Sequence, residues 1–136
     1  MNKGFTPAGQ RALGELIREC RQSNEVHKQV VDWIKANNPL DPIPYQISQE
    51  QFVRWLTATS GINVSESAIG RLERGEGCSG PPLSVLIALC EMQVLRFPDG
   101  SFCDLNRVAD ILREEINPVN FESSRFFQEQ NSRDQN

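Results

Sequence analysis

The stretch SAIGRLERGEG, residues 67–77, sets Ile69 and Leu72 three apart, Arg71 and Arg74 three apart, and a glycine on either side of the arginines. Side chains three and four apart share one face of a helix. A short helix here therefore buries Ile69 and Leu72 and leaves its arginines toward water. Ser65 is of the type that caps a helix N-terminus, and Gly75 or Gly77 ends it. The interior Gly70 costs about 1 kcal/mol against alanine. Either something approaches the backbone closely there, a DNA edge or a partner helix, or the glycine lies on an exposed face.

Working upstream, Ser48 and Gln51 have the spacing of a capping box, S-x-x-Q. Phe52, Val53, Trp55 and Leu56 give the helix after it an apolar side, and TATSGIN (57–63) punctuates, with Gly61 as terminator. Before that, three prolines in NNPLDPIPY (37–45) forbid a helix. Thr6 and Pro7 read as an N-cap and first helical residue. Leu13, Leu16, Ile17 and Cys20, then Val26, Val30, Trp33 and Ile34, keep a helical period. RQSNE (21–25) between them is either a break or a polar turn of one long helix.

Downstream, Pro81 or Pro82 opens LSVLIALCEMQVL, apolar around most of its circumference and so the most buried helix. RFPDGS (96–101) makes a turn, and Leu105, Val108, Ala109, Leu112 and Ile116 mark a last amphipathic helix over 101–116. From Asn117 the chain turns polar, and a flexible tail is expected. Its apolar FESSRFF (121–127) is suited to docking on the domain or on a partner. With no β-alternating run and no internal repeat, the fold class is all-α. Three parts follow: an N-terminal helical extension packed on the domain (1–47), a central domain (48–116) and the tail (117–136).

The totals bound the function. A chain of 136 residues makes one ordinary domain. Nothing in it is long and apolar enough to span a membrane, and the N-terminus lacks a signal-peptide core, so a cytoplasmic protein is expected. Cys20, Cys78, Cys90 and Cys103 show no metal-ligand spacing and read as reduced thiols, so no metal or cofactor is expected. His27 is the only histidine and stands on a polar stretch without a nucleophile partner, so no enzyme is read. Net charge is −4, distributed as +1 over residues 1–47, −2 over 48–95 and −3 over 96–136. Any basic footprint for nucleic acid must be local.

The segments SQEQFVRWL, VSESAIGRLERGEG and PPLSVLIALCEMQVL, within residues 48–95, resemble the lambda repressor/Cro-like helix-turn-helix family, also called the XRE family. Val64, Ser65, Ile69, Arg71, Leu72, Glu73, Arg74 and Gly75 carry the most specific part of the likeness. The chain departs from the family in a longer connection between the two helices, in Val53 where a small alanine is preferred, and in the proline-rich break. The resemblance implies a five- or six-helix lambda-repressor-like domain with an extended N-terminal helical region and a flexible C-terminal tail. It implies a transcriptional regulator whose helix 65–75 lies in the major groove. Glu66, Ser67 and Arg71 would then read base edges, Arg71 by the bidentate contact that guanine accepts. Gln49 and Arg74 would hold phosphates, and Glu73 would pair within the domain, with Arg54 or Arg74. The partner is double-stranded DNA, bound as a homodimer through the last helix or through Val26, Val30, Trp33 and Ile34. The alternative is a helix-turn-helix fold serving as a protein-interaction module, an adaptor or anti-repressor, without direct DNA binding. The acidic balance favours that alternative.

Overall fold

A computed structural model of the chain describes residues 5–40, 42–76 and 83–121. The fold is all-α, with six helices among the described residues: α1 (Pro7–Arg21), α2 (Asn24–Asn37), α3 (Gln49–Ser60), α4 (Glu66–Glu73), α5 (Leu83–Glu91) and α6 (Leu105–Leu112). No strand forms among the described residues, where one isolated antiparallel bridge joins Arg96 to Phe102 across the RFPDGS turn.

The helix starts follow the side-chain chemistry. Thr6 accepts from Gly9 N–H and precedes Pro7 at the head of α1. Ser48 and Gln51 complete the capping box of α3. Ser65 accepts from Ala68 N–H at the start of α4. The open question at RQSNE resolves as a break. Ser23 caps α2 by accepting from Val26 N–H, and its hydroxyl donates to the Cys20 carbonyl at 2.6 Å, closing α1.

The helix ends differ more from expectation. Residues 57–60 continue α3 for another turn. The hydroxyls of Thr59 and Ser60 donate back to the Trp55 and Leu56 carbonyls at 2.7 and 2.6 Å, which leaves the helical bonding intact. Gly61, at φ 74°, is the terminator. The apolar run of α5 stops at Glu91, because Gln93 takes a left-handed φ of 55° and the Val94 N–H closes on the Leu89 carbonyl. The last helix covers 105–112 of the expected 101–116: Asp104 caps it and Glu114, at φ 60°, ends it the same way. Neither ending uses the glycine that marks such a turn in sequence.

α1 runs through the middle of the packing, against α4 and α6, while α3 packs on α4 and α5, and α2 on α3. Leu13, Ile17, Phe52, Leu56, Ile69, Leu89 and Ile111 are fully buried where these faces meet. Two glycines let α1 approach so closely. A Cβ on Gly14 would overlap the Leu72 and Glu73 carbonyls of α4, and one on Gly9 would overlap the Leu112 carbonyl of α6. The start of the segment expected to be a tail also packs: Phe121 is buried, its ring centroid 4.3 Å from that of Phe97. The rest of FESSRFF lies outside the described residues.

Candidate nucleic-acid interface

α4 stands on the core by one edge. Ile69 is 0 % exposed and Leu72 5 %, with Ala68 beside them, and side chains of that size contribute about 1.5–3 kcal/mol each when fully buried. Ahead of α4, Thr57 pins the turn. Its hydroxyl accepts from Val64 N–H at 3.1 Å and donates to the Val64 carbonyl at 3.3 Å, while the Val64 side chain is buried. Orientation of α4 is thus set from both ends.

The opposite edge is exposed and carries Glu66 and Ser67 in the first turn and Arg71 a turn later. Arg71 forms no ion pair among the described residues, so its planar fork of donors faces solvent. Ser67 and Arg71, four residues apart, share one exposed edge of the helix, and Glu66 is exposed beside Ser67 in the first turn.

The two residues assigned to phosphate have partners inside the protein. Gln49 is the first residue of α3 and half-buried; its side-chain amide donates to Glu73 Oε1 at 3.3 Å. Arg74 follows α4 directly and pairs with Glu76, Nε to Oε2 at 3.2 Å, both side chains 58 % exposed. An exposed pair of this kind is worth about 0–1 kcal/mol and exchanges readily for another anion.

The expected partner of Glu73 is Arg54 or Arg74 within the domain; the observed one is a residue of the N-terminal extension, Arg21. Arg54 bonds to Glu50 in its own helix and Arg74 to Glu76. Glu73 instead accepts from Nε and Nη2 of Arg21, both at 2.8 Å, in a bidentate contact buried to 9 % and 4 % side-chain exposure. Nη1 of Arg21 donates onward to the Ile47 carbonyl at 3.3 Å. This one ion pair fastens the end of α1 to the end of α4 and, through Gln49 and Ile47, to the entrance of α3. A signal for it does exist in the sequence. Arg21 follows Leu13 and Ile17 by steps of four along the core face of α1, and a cation at a core position requires a carboxylate.

Gly70 is buried, so it does not lie on an exposed face. The neighbours a Cβ would meet are the protein's own: Arg74 Nη1 at 3.2 Å and Gln49 Oε1 at 3.6 Å. The Arg74 and Gln49 side chains fold over the helix backbone at that point.

The thiols are structural in character. Cys20 and Cys103 are buried and Cys90 half-buried, all unpaired. Burial raises each thiol pKa, that of Cys90 from 9.0 to about 11; such groups stay protonated and unreactive at neutral pH. Cys78 lies outside the described residues. No group of three metal-ligating side chains comes together among the described residues. His27 Nε2 lies 3.2 Å from the Pro44 carbonyl. No helix among those described is long and apolar enough to cross a membrane.

No family model, no curated protein and no solved structure matches the chain.

Proposed function

We propose that the protein is a sequence-specific, DNA-binding transcriptional regulator acting in the cytoplasm, with α4 lying in the major groove. The observation that carries this reading is the two-sidedness of α4: Ile69 and Leu72 are sunk in the core while Glu66, Ser67 and Arg71, which has no ion pair among the described residues, are exposed. Arg71 reads guanine through its O6 and N7, Ser67 is a small hydrogen-bonding reader, and Glu66 accepts from cytosine N4. The N-terminus of α3 supplies backbone N–H groups and a partial positive charge for a phosphate, with Gln49 beside it. Arg74 exchanges Glu76 for a second phosphate.

One such helix touches few bases, so a two-fold dimer on paired half-sites is the proposed state. Of the two seams the sequence offered, that of α2 has Val26, Val30 and Ile34 buried within the monomer and Trp33 half-buried. The α6 side remains, with Phe102 and Leu105 partly exposed.

A second reading, a protein-interaction module, is favoured by a specific observation. Apart from Arg71, the cations of α3 and α4 already hold carboxylates, Arg54 with Glu50 and Arg74 with Glu76, in a chain of net charge −4.

Selection of bound DNA from a random pool, followed by mobility shifts over a salt series, separates the two. With only Arg54, Arg71 and Arg74 as cations in the motif, log K should fall with log salt at a slope of no more than about −3. Arg71→Ala should relax the preference at one base pair by about 1–3 kcal/mol, while Arg74→Ala should weaken all sequences alike. Absence of any retained DNA at about 50 mM salt would replace the regulator reading with the interaction module.

A further inference from the structure

We propose that the chain's own residues 125–127, Arg125, Phe126 and Phe127, dock into a groove between α1 and the loop that joins α5 to α6. The groove has a volume of about 600 Å³, within the range of clefts that enclose a drug-sized molecule. Leu16 of α1, Val94 and Phe97 of the loop and Val119 form its apolar lining; Glu15 and Glu19 of α1 and Glu25 of α2 outnumber the one cation that lines it, Arg96, whose guanidinium lies over the Phe102 ring. Glu15 and Glu19 are exposed and neither has an ion pair among the described residues.

Three observations select this occupant. The first is where the described chain ends. Pro118 and Val119 line the groove, and Phe121, the last described residue, packs its ring on Phe97, itself a lining residue. The second is reach: four residues separate Phe121 from Arg125, and an extended chain covers about 3.3–3.6 Å per residue, enough to cross a cleft of this size. The third is complementarity. One cation followed by two aromatics matches a carboxylate-edged apolar groove, and Val119, 68 % exposed at its rim, would lose contact with water under them. The inference is independent of whether the protein binds DNA.

Trypsin tests it on the full chain, because the tail holds two arginines. The bond after Arg125 should be cut about tenfold more slowly than in a synthetic peptide of residues 122–136, since cleavage follows the population of the undocked segment. The bond after Arg133 should be cut at the peptide's rate. Glu15→Lys with Glu19→Lys, at exposed positions of α1, should bring the Arg125 bond up to the peptide's rate with helix content unchanged. Equal rates in chain and peptide would overturn the proposal. So would protection that survives the double charge reversal, or protection that fades over an approximately hundredfold dilution, which would place the segment in a second copy's groove.

Discussion

The two edges of α4, a helix of eight residues, are built by different rules. On the α1 side, backbone touches backbone at Gly14 and a bidentate ion pair is sealed from water between Arg21 and Glu73. On the outer side, Glu66, Ser67 and Arg71 stand in solvent, and the nearest pair, Arg74 with Glu76, is exposed and replaceable. The lesson is one of division: the inner edge fixes where α4 sits, and the outer edge is left free to choose what it meets. Substitutions that respect this division should change either stability or recognition, not both.

The sharpest way to break the comparison is at Arg21. Arg21→Ala leaves the Glu73 carboxylate buried with only Gln49 beside it, and losing one partner of a buried pair costs about 3–5 kcal/mol. Urea unfolding should show that loss, while Arg71→Ala at the outer edge should stay within about 0.5 kcal/mol of the parent, as surface changes do. Similar losses for the two arginines would mean that the inner pair is not sealed. Because burying charge is itself costly, a paired Arg21→Met, Glu73→Leu chain should recover most of the deficit.

Gly14→Ala comes next. The added methyl meets the Leu72 and Glu73 carbonyls, which belong to backbone and cannot swing aside. Overpacking of this kind costs about 1–3 kcal/mol, and here it forces α1 away from α4 and stretches the Arg21–Glu73 contact with it. The denaturation midpoint should fall. A parallel loss of DNA preference would show that the spacing of α1 and α4 also sets the reading edge.

The interior thiols extend the same contrast into pH. In the unfolded chain a cysteine ionises near 9.0, whereas burial holds the Cys90 proton until about 11. Between those values the unfolded state has released a proton that the folded state keeps, so stability falls as pH rises. It is complete below about 9 and declines toward 11. Unfolding midpoints across that window should drop, and Cys90→Ala should flatten the drop. An unchanged slope would mean that Cys90 is open to water.

How much of this was legible in the sequence depended on distance along the chain. Ser48, Ser65 and Gly61 were readable because a cap or terminator acts on residues within a few positions of itself. The exposed set on α4 was readable for the same reason, being fixed by a local period. The endings at Gln93 and Glu114 were not, because a left-handed turn without glycine has no local signal in sequence; at Gln93 it is followed by the buried Val94 and Leu95. Nor was the partner of Glu73, which lies 52 residues away on another helix. Local readings supplied only Arg54 and Arg74, and those arginines have nearer carboxylates. Residues 57–60 looked like a turn by composition, yet their hydroxyls bond back into α3.

The smallest expected effect gives the finest test, since it repeats the Gly14 substitution on the same helix pair. Gly70→Ala adds a methyl that meets Arg74 Nη1 at 3.2 Å and Gln49 Oε1 at 3.6 Å, the far ends of two flexible side chains. Shifting the guanidinium by a few tenths of an ångström disturbs only an exposed pair worth about 0–1 kcal/mol, while alanine recovers up to about 1 kcal/mol of helix propensity. The same change should therefore destabilise at Gly14 and stabilise at Gly70, because one glycine faces a wall of backbone and the other a movable cover. Should Gly70→Ala unfold at lower urea than the parent, the Arg74 cover would be as fixed as the inner edge, and the division between the two edges of α4 would fail.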